Sequence, residues 1–98
     1  MSRLAIVIVS YNARADLERC LASLTAAPPA DAEIVVVDNQ SSDGSREAVS
    51  AFPQVRLLPQ TSNRGFSAGN NVGIRATSSE LLLLLNSDTV VPPGAIDR

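Results

Sequence analysis

The chain has 98 residues, of which 45% are hydrophobic and 18% charged, a balance that fits one small globular domain and excludes a disordered tail. Eight arginines and no lysine leave a formal net charge of -2, so no basic stripe can follow a phosphate backbone and we predict no nucleic-acid partner. A single cysteine excludes an internal disulfide or thiolate metal cluster.

The apolar runs of the sequence are too short for a secretory signal or a membrane span. The run over residues 4–9 stops at the polar residues Ser10 and Asn12 without a small-residue cleavage pattern. Residues 81–85 form a run of five, where a span needs about 18. We therefore expect a cytoplasmic chain with no transmembrane segment, and the sequence leaves open whether the full protein sits peripherally at the inner face of a membrane.

Four apolar segments predict the strands of a parallel sheet. Each is apolar at consecutive positions, which is typical of strands that helices cover on both faces. The segments are residues 4–9, 33–38, 54–59 and 80–85.

The first helix is predicted over residues 14–26. Leu17, Leu21 and Leu24 recur there at helical spacing and form an apolar stripe. Cys20 lies in the same stripe, so we interpret it as a small buried apolar residue.

Two further helices are predicted between the later strands. Asp43 caps a short helix that runs through Phe52 and ends at the following proline. Residues 66–77 form the third helix, which Gly69 and Gly73 weaken. These glycines allow close approach either to a ligand or to the sheet.

The resulting order is β-α-β-α-β-α-β, and right-handed crossovers leave few ways to wind it. Winding outward from the first strand and then crossing back gives the strand order 3-2-1-4, a Rossmann-like α/β fold with helices on both faces. The switch point lies between strands 1 and 4, and the ligand of such a sheet binds at the carboxyl ends of the strands beside it.

Polar segments follow every predicted strand at that rim, over residues 10–12, 38–44, 61–66 and 86–89. Turns use the same residue types for their own hydrogen bonds, so each segment alone suits a turn as well as a ligand. Their coincidence at one rim favours a site for a nucleoside diphosphate.

Three residues supply the groups that such a ligand needs. Tyr11 can offer a stacking face, Asp38 can accept from a base N–H or a ribose hydroxyl, and Asp88 can hold a divalent cation on the diphosphate. Structural alternatives remain, since Tyr11 also suits packing and Asp38 a turn cap. Asn86 and Asp88 also suit a turn, and Arg64 fits either a surface charge or a diphosphate contact.

Four motifs in this order are similar to those of the family 2 glycosyltransferases. They read VIVSYN (7–12), VVVDN (35–39) with SDGS (42–45), NRGFSAGNNVGI (63–74) and LLNSDT (84–89), and they cover nearly the whole chain. The third motif, together with Asn-x-Asp where Asp-x-Asp is usual, resembles the rhamnosyltransferase-like branch that builds bacterial surface polysaccharides.

The resemblance implies a GT-A fold and an inverting transfer of a sugar from a UDP- or dTDP-sugar donor to a polysaccharide or glycolipid acceptor, with Mg²⁺ or Mn²⁺ as cofactor. By motif, Tyr11 and Asp38 meet the base, usually uracil or thymine. Asn86 meets the ribose and Asp88 the metal. The nucleotide-sugar-binding residues implied in all are Ser10, Tyr11, Asn12, Asp38, Asn63, Gly65, Asn70 and Asn86.

Two positions depart from the family pattern. Asn70 and Asn71 stand where many relatives carry an arginine, which leaves the diphosphate role of that helix open. Asn86 can still bind a ribose hydroxyl, but its neutral amide adds no charge to the metal site.

In such enzymes the general base follows well after the Asp-x-Asp position, so we expect no catalytic residue in this chain. Residues 1–98 are interpreted as the N-terminal, nucleotide-sugar-binding half of a GT-A domain, without the acceptor-binding half and inactive alone. The alternative is a non-catalytic fragment that binds a nucleotide only weakly. The strand over residues 81–85 is left at an open sheet edge, through which we expect self-association.

Other nucleotide-binding folds lack their motifs here. A nicotinamide-dependent enzyme needs Gly-x-Gly-x-x-Gly after strand 1, and residues 10–15 contain no glycine. A P-loop needs a lysine, which the chain lacks. A phosphoacceptor domain needs an aspartate at the end of strand 3, where Pro59 and Gln60 stand.

Overall fold

The computed structural model describes residues 4–26, 32–63 and 65–87. The strands and helices alternate as predicted. The strands are β1 (Leu4–Ser10), β2 (Ala32–Asp38), β3 (Val55–Pro59) and β4 (Leu81–Asn86), and the helices are α1 (Arg14–Ala26), α2 (Ser45–Val49) and α3 (Phe66–Ala76).

The four strands form one parallel sheet in the order β3-β2-β1-β4, which confirms the predicted fold class and strand order. The register pairs Ser10 with Asp38 at the carboxyl ends of β1 and β2. On the other side of β1, Val9 pairs with Asn86, the last residue of β4. The described residues of the predicted polar segments therefore lie at one rim.

The residues of β1 alternate between two apolar layers. Ile6 and Ile8 are fully buried in a cluster with α1, and this cluster includes Cys20 as predicted. Val7 and Val9 pack on the opposite face, where Val72 of α3 covers them. The sheet thus carries helices on both faces, because β1 and β2 are apolar at consecutive positions.

Two glycines bring α3 against the sheet. A Cβ atom at Gly73 would lie 2.3 Å from Cγ1 of Val7, and one at Gly69 would lie 2.7 Å from Cγ1 of Val9. Real side-chain carbons cannot approach so closely, so only glycine permits this packing. The sequence left open whether these glycines allow close approach to a ligand or to the sheet. In the structure they allow α3 to approach the sheet.

The second helix is shorter than predicted, because it ends at Val49 and does not reach Phe52. The N–H groups of Ser50, Ala51 and Phe52 each donate to the carbonyl three residues earlier, so the chain tightens into a turn before Pro53. Phe52 still packs against the core from this turn.

One face of β4 is less covered than its continuous apolar sequence predicted. Leu82 and Leu84 are 44% and 45% exposed, whereas Leu83 and Leu85 pack on the core cluster. Leu84 pairs in register with Val7, and α3 packs mainly over β1 and β2. This exposure agrees with the prediction that the strand over residues 81–85 lies at an open edge of the sheet.

Candidate functional site

The carboxyl ends of β1 and β2 place two buried polar side chains next to each other. Ser10 and Asp38 are register partners, and each is only 1% exposed. In the part of the chain that the structure describes, Oγ of Ser10 and Oδ1 of Asp38 have no hydrogen-bond partner. A buried oxygen without a partner costs free energy, so this corner of the rim favours a ligand that carries a hydrogen-bond donor.

The second oxygen of Asp38 is held by the protein. Oδ2 accepts the backbone N–H of Ser41 at 3.0 Å and Nε of Arg46 at 2.8 Å. The sequence left Asp38 as either a turn cap or a ligand acceptor. The carboxylate caps the turn through Oδ2, and this leaves Oδ1 unused.

The loop after β2 is fastened to the loop after β1. The backbone N–H of Asn12 donates to Oγ of Ser41 at 2.9 Å, and Oδ1 of Asn12 accepts the N–H of Ser42 at 2.8 Å. Asn12 has a φ of 47°, in the left-handed region that asparagine tolerates better than most residues. Asn12 was predicted to bind the ligand, and its side-chain oxygen accepts a hydrogen bond from the loop after β2.

Asp43 ties the same loop to two helices. Its Oδ2 accepts the backbone N–H of Arg14, the first residue of α1, at 3.0 Å, and its Oδ1 accepts the N–H of Ser45, the first residue of α2, at 3.1 Å. Asp43 was predicted to cap α2; Gly44 occupies the N-cap position and Asp43 acts from one residue earlier. The Ser45 hydroxyl, followed by the two backbone N–H groups, holds the pKa of the Asp43 carboxyl below its usual value, although burial acts in the opposite direction.

The loop before α3 is attached to β2 through Asn39. Asn39 is 3% exposed, and its Nδ2 donates to the carbonyl of Gly65 at 3.2 Å. Gly65 has a φ of 91°, and its N–H donates to Oδ1 of Asn63 at 2.9 Å. The predicted residues Asn63 and Gly65 therefore form one local turn that Asn39 holds to the end of the sheet.

A polar cleft of about 250 Å³ lies beside this turn, on the α3 face of the sheet. It is lined by residues from the ends of β2 and β3 and from α3: Asn39, Gln60, Thr61, Ser62, Ala68, Gly69, Val72 and Arg75. The cleft is too small for a whole nucleotide sugar but large enough for one ring or a phosphate.

Three other predicted binding residues differ in solvent exposure. Tyr11 is 51% exposed directly after β1, and Asn86 is exposed at the end of β4. Asn70 lies on α3, only 7% exposed, and its Oδ1 has no partner among the described residues. Asn71 is exposed.

The predicted metal ligand Asp88 and the predicted ambiguous residue Arg64 lie outside the described residues. Within residues 4–26, 32–63 and 65–87, no group of three or more His, Cys, Asp or Glu side chains comes together. No helix in these ranges is long and apolar enough to cross a membrane.

Sequence reasoning missed the partners that hold Asp38. Arg46 donates to Asp38 and also, through Nη2, to the carbonyl of Gln60 at 2.7 Å. Asp38 is the last residue of a buried strand, and a buried carboxylate needs a cation or several donors. That requirement could have directed attention to Arg46, the first arginine after it in the sequence.

The family model for glycosyl transferase family 2 matches residues 5–98, and the chain therefore belongs to this family. The match spans all four strands and the rim that their carboxyl ends form.

Two relatives show the similarity at the level of sequence. An N-acetylglucosaminyl-diphospho-decaprenol L-rhamnosyltransferase of Mycobacterium tuberculosis is 33% identical over an alignment of 106 positions, gaps included, that covers 96% of this chain and 34% of the relative. Succinoglycan biosynthesis protein ExoO of Rhizobium meliloti is 34% identical over 94 residues, 94% of this chain and 27% of the relative. The chain thus spans about a third or less of the length of these relatives.

The fold agrees with a solved glycosyltransferase. The mannosyltransferase PcManGT from Pyrobaculum calidifontis, in complex with GDP-Man and Mn²⁺, superposes with a TM-score of 0.83 at 26% identity. The superposition covers 93% of this chain and 29% of PcManGT.

Proposed function

We propose that this chain forms the nucleotide-sugar-binding half of an inverting glycosyltransferase, with residues 1–98 contributing the donor side of a GT-A domain. The full protein transfers a sugar from a UDP- or dTDP-sugar to a polysaccharide or glycolipid acceptor. The observation that carries the proposal is the unpaired Oδ1 of Asp38, buried beside Ser10 at the ends of two strands in a family 2 fold.

The chemistry of this corner suits an imide base. Uracil and thymine carry one ring N–H between two carbonyls; Oδ1 of Asp38 accepts from the N–H, and the Ser10 hydroxyl donates to a carbonyl. Tyr11, exposed at the same rim, supplies the stacking face. Both oxygens are shielded from solvent, so the base reaches them after local side-chain movement at the rim.

We assign Asp88 to the diphosphate of the donor, through a bound cation. Asn86, at the end of β4, is assigned to the ribose. A divalent cation held there neutralises charge on the leaving diphosphate. PcManGT, which was solved in complex with GDP-Man and Mn²⁺, supports the use of a divalent cation. The amide of Asn86 leaves the cation with less protein charge, so metal and donor are expected to bind together.

The lipid-linked or polysaccharide nature of the acceptor rests on the relatives. One is named for rhamnosyl transfer involving a diphospho-decaprenol, and another for succinoglycan biosynthesis. The carboxylate that removes the acceptor proton is expected beyond the Asp-x-Asp position, so we expect binding but no transfer from residues 1–98 alone.

Isothermal titration calorimetry tests the proposal. UDP and dTDP are titrated into the chain with and without Mn²⁺, and into Asp38→Ala, Asp88→Ala and the control Asp16→Ala, which alters an exposed pair with Arg19. We expect Asp38→Ala to weaken binding with or without metal, Asp88→Ala to abolish the gain from Mn²⁺, and the control to bind normally. Metal-independent binding that neither site variant alters contradicts the assignment.

A further inference from the structure

Arg46 connects the side chain at the end of β2 to the backbone at the end of β3. Its Nε donates to Oδ2 of Asp38 at 2.8 Å, and its Nη2 donates to the carbonyl of Gln60 at 2.7 Å. Gln60 in turn donates its N–H to the carbonyl of Asp38 at 2.9 Å. The guanidinium therefore closes a ring of contacts around the carboxylate.

This ring fixes the orientation of the Asp38 carboxylate. Arg46 approaches Oδ2 from α2, and the N–H of Ser41 approaches the same oxygen at 3.0 Å from the turn after β2. Two donors on one oxygen resist rotation about the last side-chain bond. Oδ1 is consequently the oxygen left for a ligand.

The geometry calls for arginine specifically. Arg46 is the second residue of α2, whose first residue is anchored by Asp43, so its side chain starts from a fixed point. A planar guanidinium presents donors to two acceptors in different directions, whereas a lysine ammonium is a point charge on a flexible stem. Lysine would keep the charge beside Asp38 without keeping both contacts.

We infer that Arg46 is a positioning residue that makes Asp38 selective for a base with a ring N–H. With Oδ2 held, Oδ1 faces the ligand as a fixed acceptor, which suits the N3–H of uracil or thymine. Cytosine presents an acceptor at N3, which an oriented carboxylate repels. The inference rests on the proposed function, since it requires Asp38 to meet the base.

The test compares UDP with CDP, which differ only in the base. Dissociation constants for both are measured by calorimetry on the full chain, on Arg46→Gln and on Arg46→Lys. Arg56→Gln is the matched control, because Arg56 is an exposed arginine that donates to one backbone carbonyl, that of Ala76. Melting temperatures are recorded for every variant.

We expect the chain to prefer UDP over CDP by about tenfold or more, in line with one charged hydrogen bond. Arg46→Gln should bring the preference down about tenfold, Arg46→Lys should restore it only in part, and Arg56→Gln should leave it unchanged. A purely structural role for Arg46 would lower the melting temperature without moving the ratio of the two dissociation constants.

Each other outcome is decisive. An unchanged UDP to CDP ratio in Arg46→Gln, beside a loss of UDP binding in Asp38→Ala, overturns the positioning role and leaves the proposed function intact. If the unaltered chain binds no nucleotide, the proposed function fails and this inference with it. If Arg46→Gln does not fold, Arg46→Lys decides, and a ratio equal to that of the unaltered chain rejects the inference.

Discussion

Asp43 accepts the backbone N–H of Arg14 at 3.0 Å, although the two residues lie 29 positions apart. The same carboxylate accepts the N–H of Ser45 through its other oxygen. One carboxylate thus accepts hydrogen bonds from the first residues of both α1 and α2. Both contacts are at helix N-termini, where the helix dipole favours a negative charge.

This shared contact predicts a stability that depends on pH. The pKa of Asp43 is lowered in the folded chain, so its contribution is complete above the unfolded pKa of about 4 and is lost as pH falls through the folded value. We expect Asp43→Asn to melt a few degrees below the unaltered chain at pH 7. As the pH falls below the lowered pKa of folded Asp43, the two melting temperatures should converge.

The control for this comparison is Glu47→Gln, which removes an exposed carboxylate from α2 without touching the Asp43 contacts. Thermal melts followed by circular dichroism from pH 2.5 to 7 supply the measurement. A constant difference between Asp43→Asn and the unaltered chain across this range would show that the charge of Asp43 does not matter.

Gly73→Ala tests the close packing of α3. The added carbon would meet Val7 at 2.3 Å, so helix and strand must separate despite the better helix propensity of alanine. We expect the free energy of unfolding to fall by about 1 to 2 kcal/mol. Denaturant unfolding of Gly73→Ala, Val7→Ala and the double variant forms a cycle in which the double variant should cost less than the sum. Additive losses would mean that the two positions do not compete for space.

Asn70→Ala separates stability from binding. Asn70 is buried with an unpaired Oδ1, so alanine should raise the free energy of unfolding by about 1 kcal/mol. If Asn70 meets the donor as its motif implies, the same change should weaken UDP binding about five- to tenfold. Asn71→Ala, on the exposed face of the same helix, is the control for both measurements. A variant that is more stable and binds UDP normally would remove Asn70 from the donor site.

The exposed face of β4 predicts self-association. Leu82 and Leu84 are nearly half exposed at the edge of the sheet, and such an edge pairs readily with another chain. We expect the sedimentation coefficient of the chain to rise with concentration and Leu82→Thr with Leu84→Thr to suppress the rise, since threonine keeps the strand propensity. A monomer at every concentration tested, before any substitution, would contradict this.

Much of the fold could be predicted because it depends on local patterns. Continuous apolar runs located the strands, and right-handed crossovers left few possible orders, of which winding outward and then crossing back is the observed one. The placement of Asp38 and Asn86 at strand ends followed directly from those runs. The unpaired state of Oδ1 could not be predicted, since it depends on how Arg46 and Ser41 divide the carboxylate between them.

The contacts that hold the rim were harder to foresee because they join distant loops. Asn12 meets Ser42 and Asn39 meets Gly65 through side chains whose residue types are common in any turn. Such pairs depend on the registers of neighbouring strands. The predicted length of α2 was wrong for a different reason. The residues after Val49 form a tighter turn in place of another α-helical turn.

The order of the strands also governs how the chain can assemble. β1 lies between β2 and β4, and Leu4 pairs with both Ala32 and Leu81. During synthesis β1 therefore gains one neighbour early and the other only after the whole segment through β4 has been made. Contacts so distant in sequence slow folding, because a long loop must close before they form. Until then one edge of β1 lacks its partner strand, and an unpaired edge of this kind favours association between incompletely folded chains.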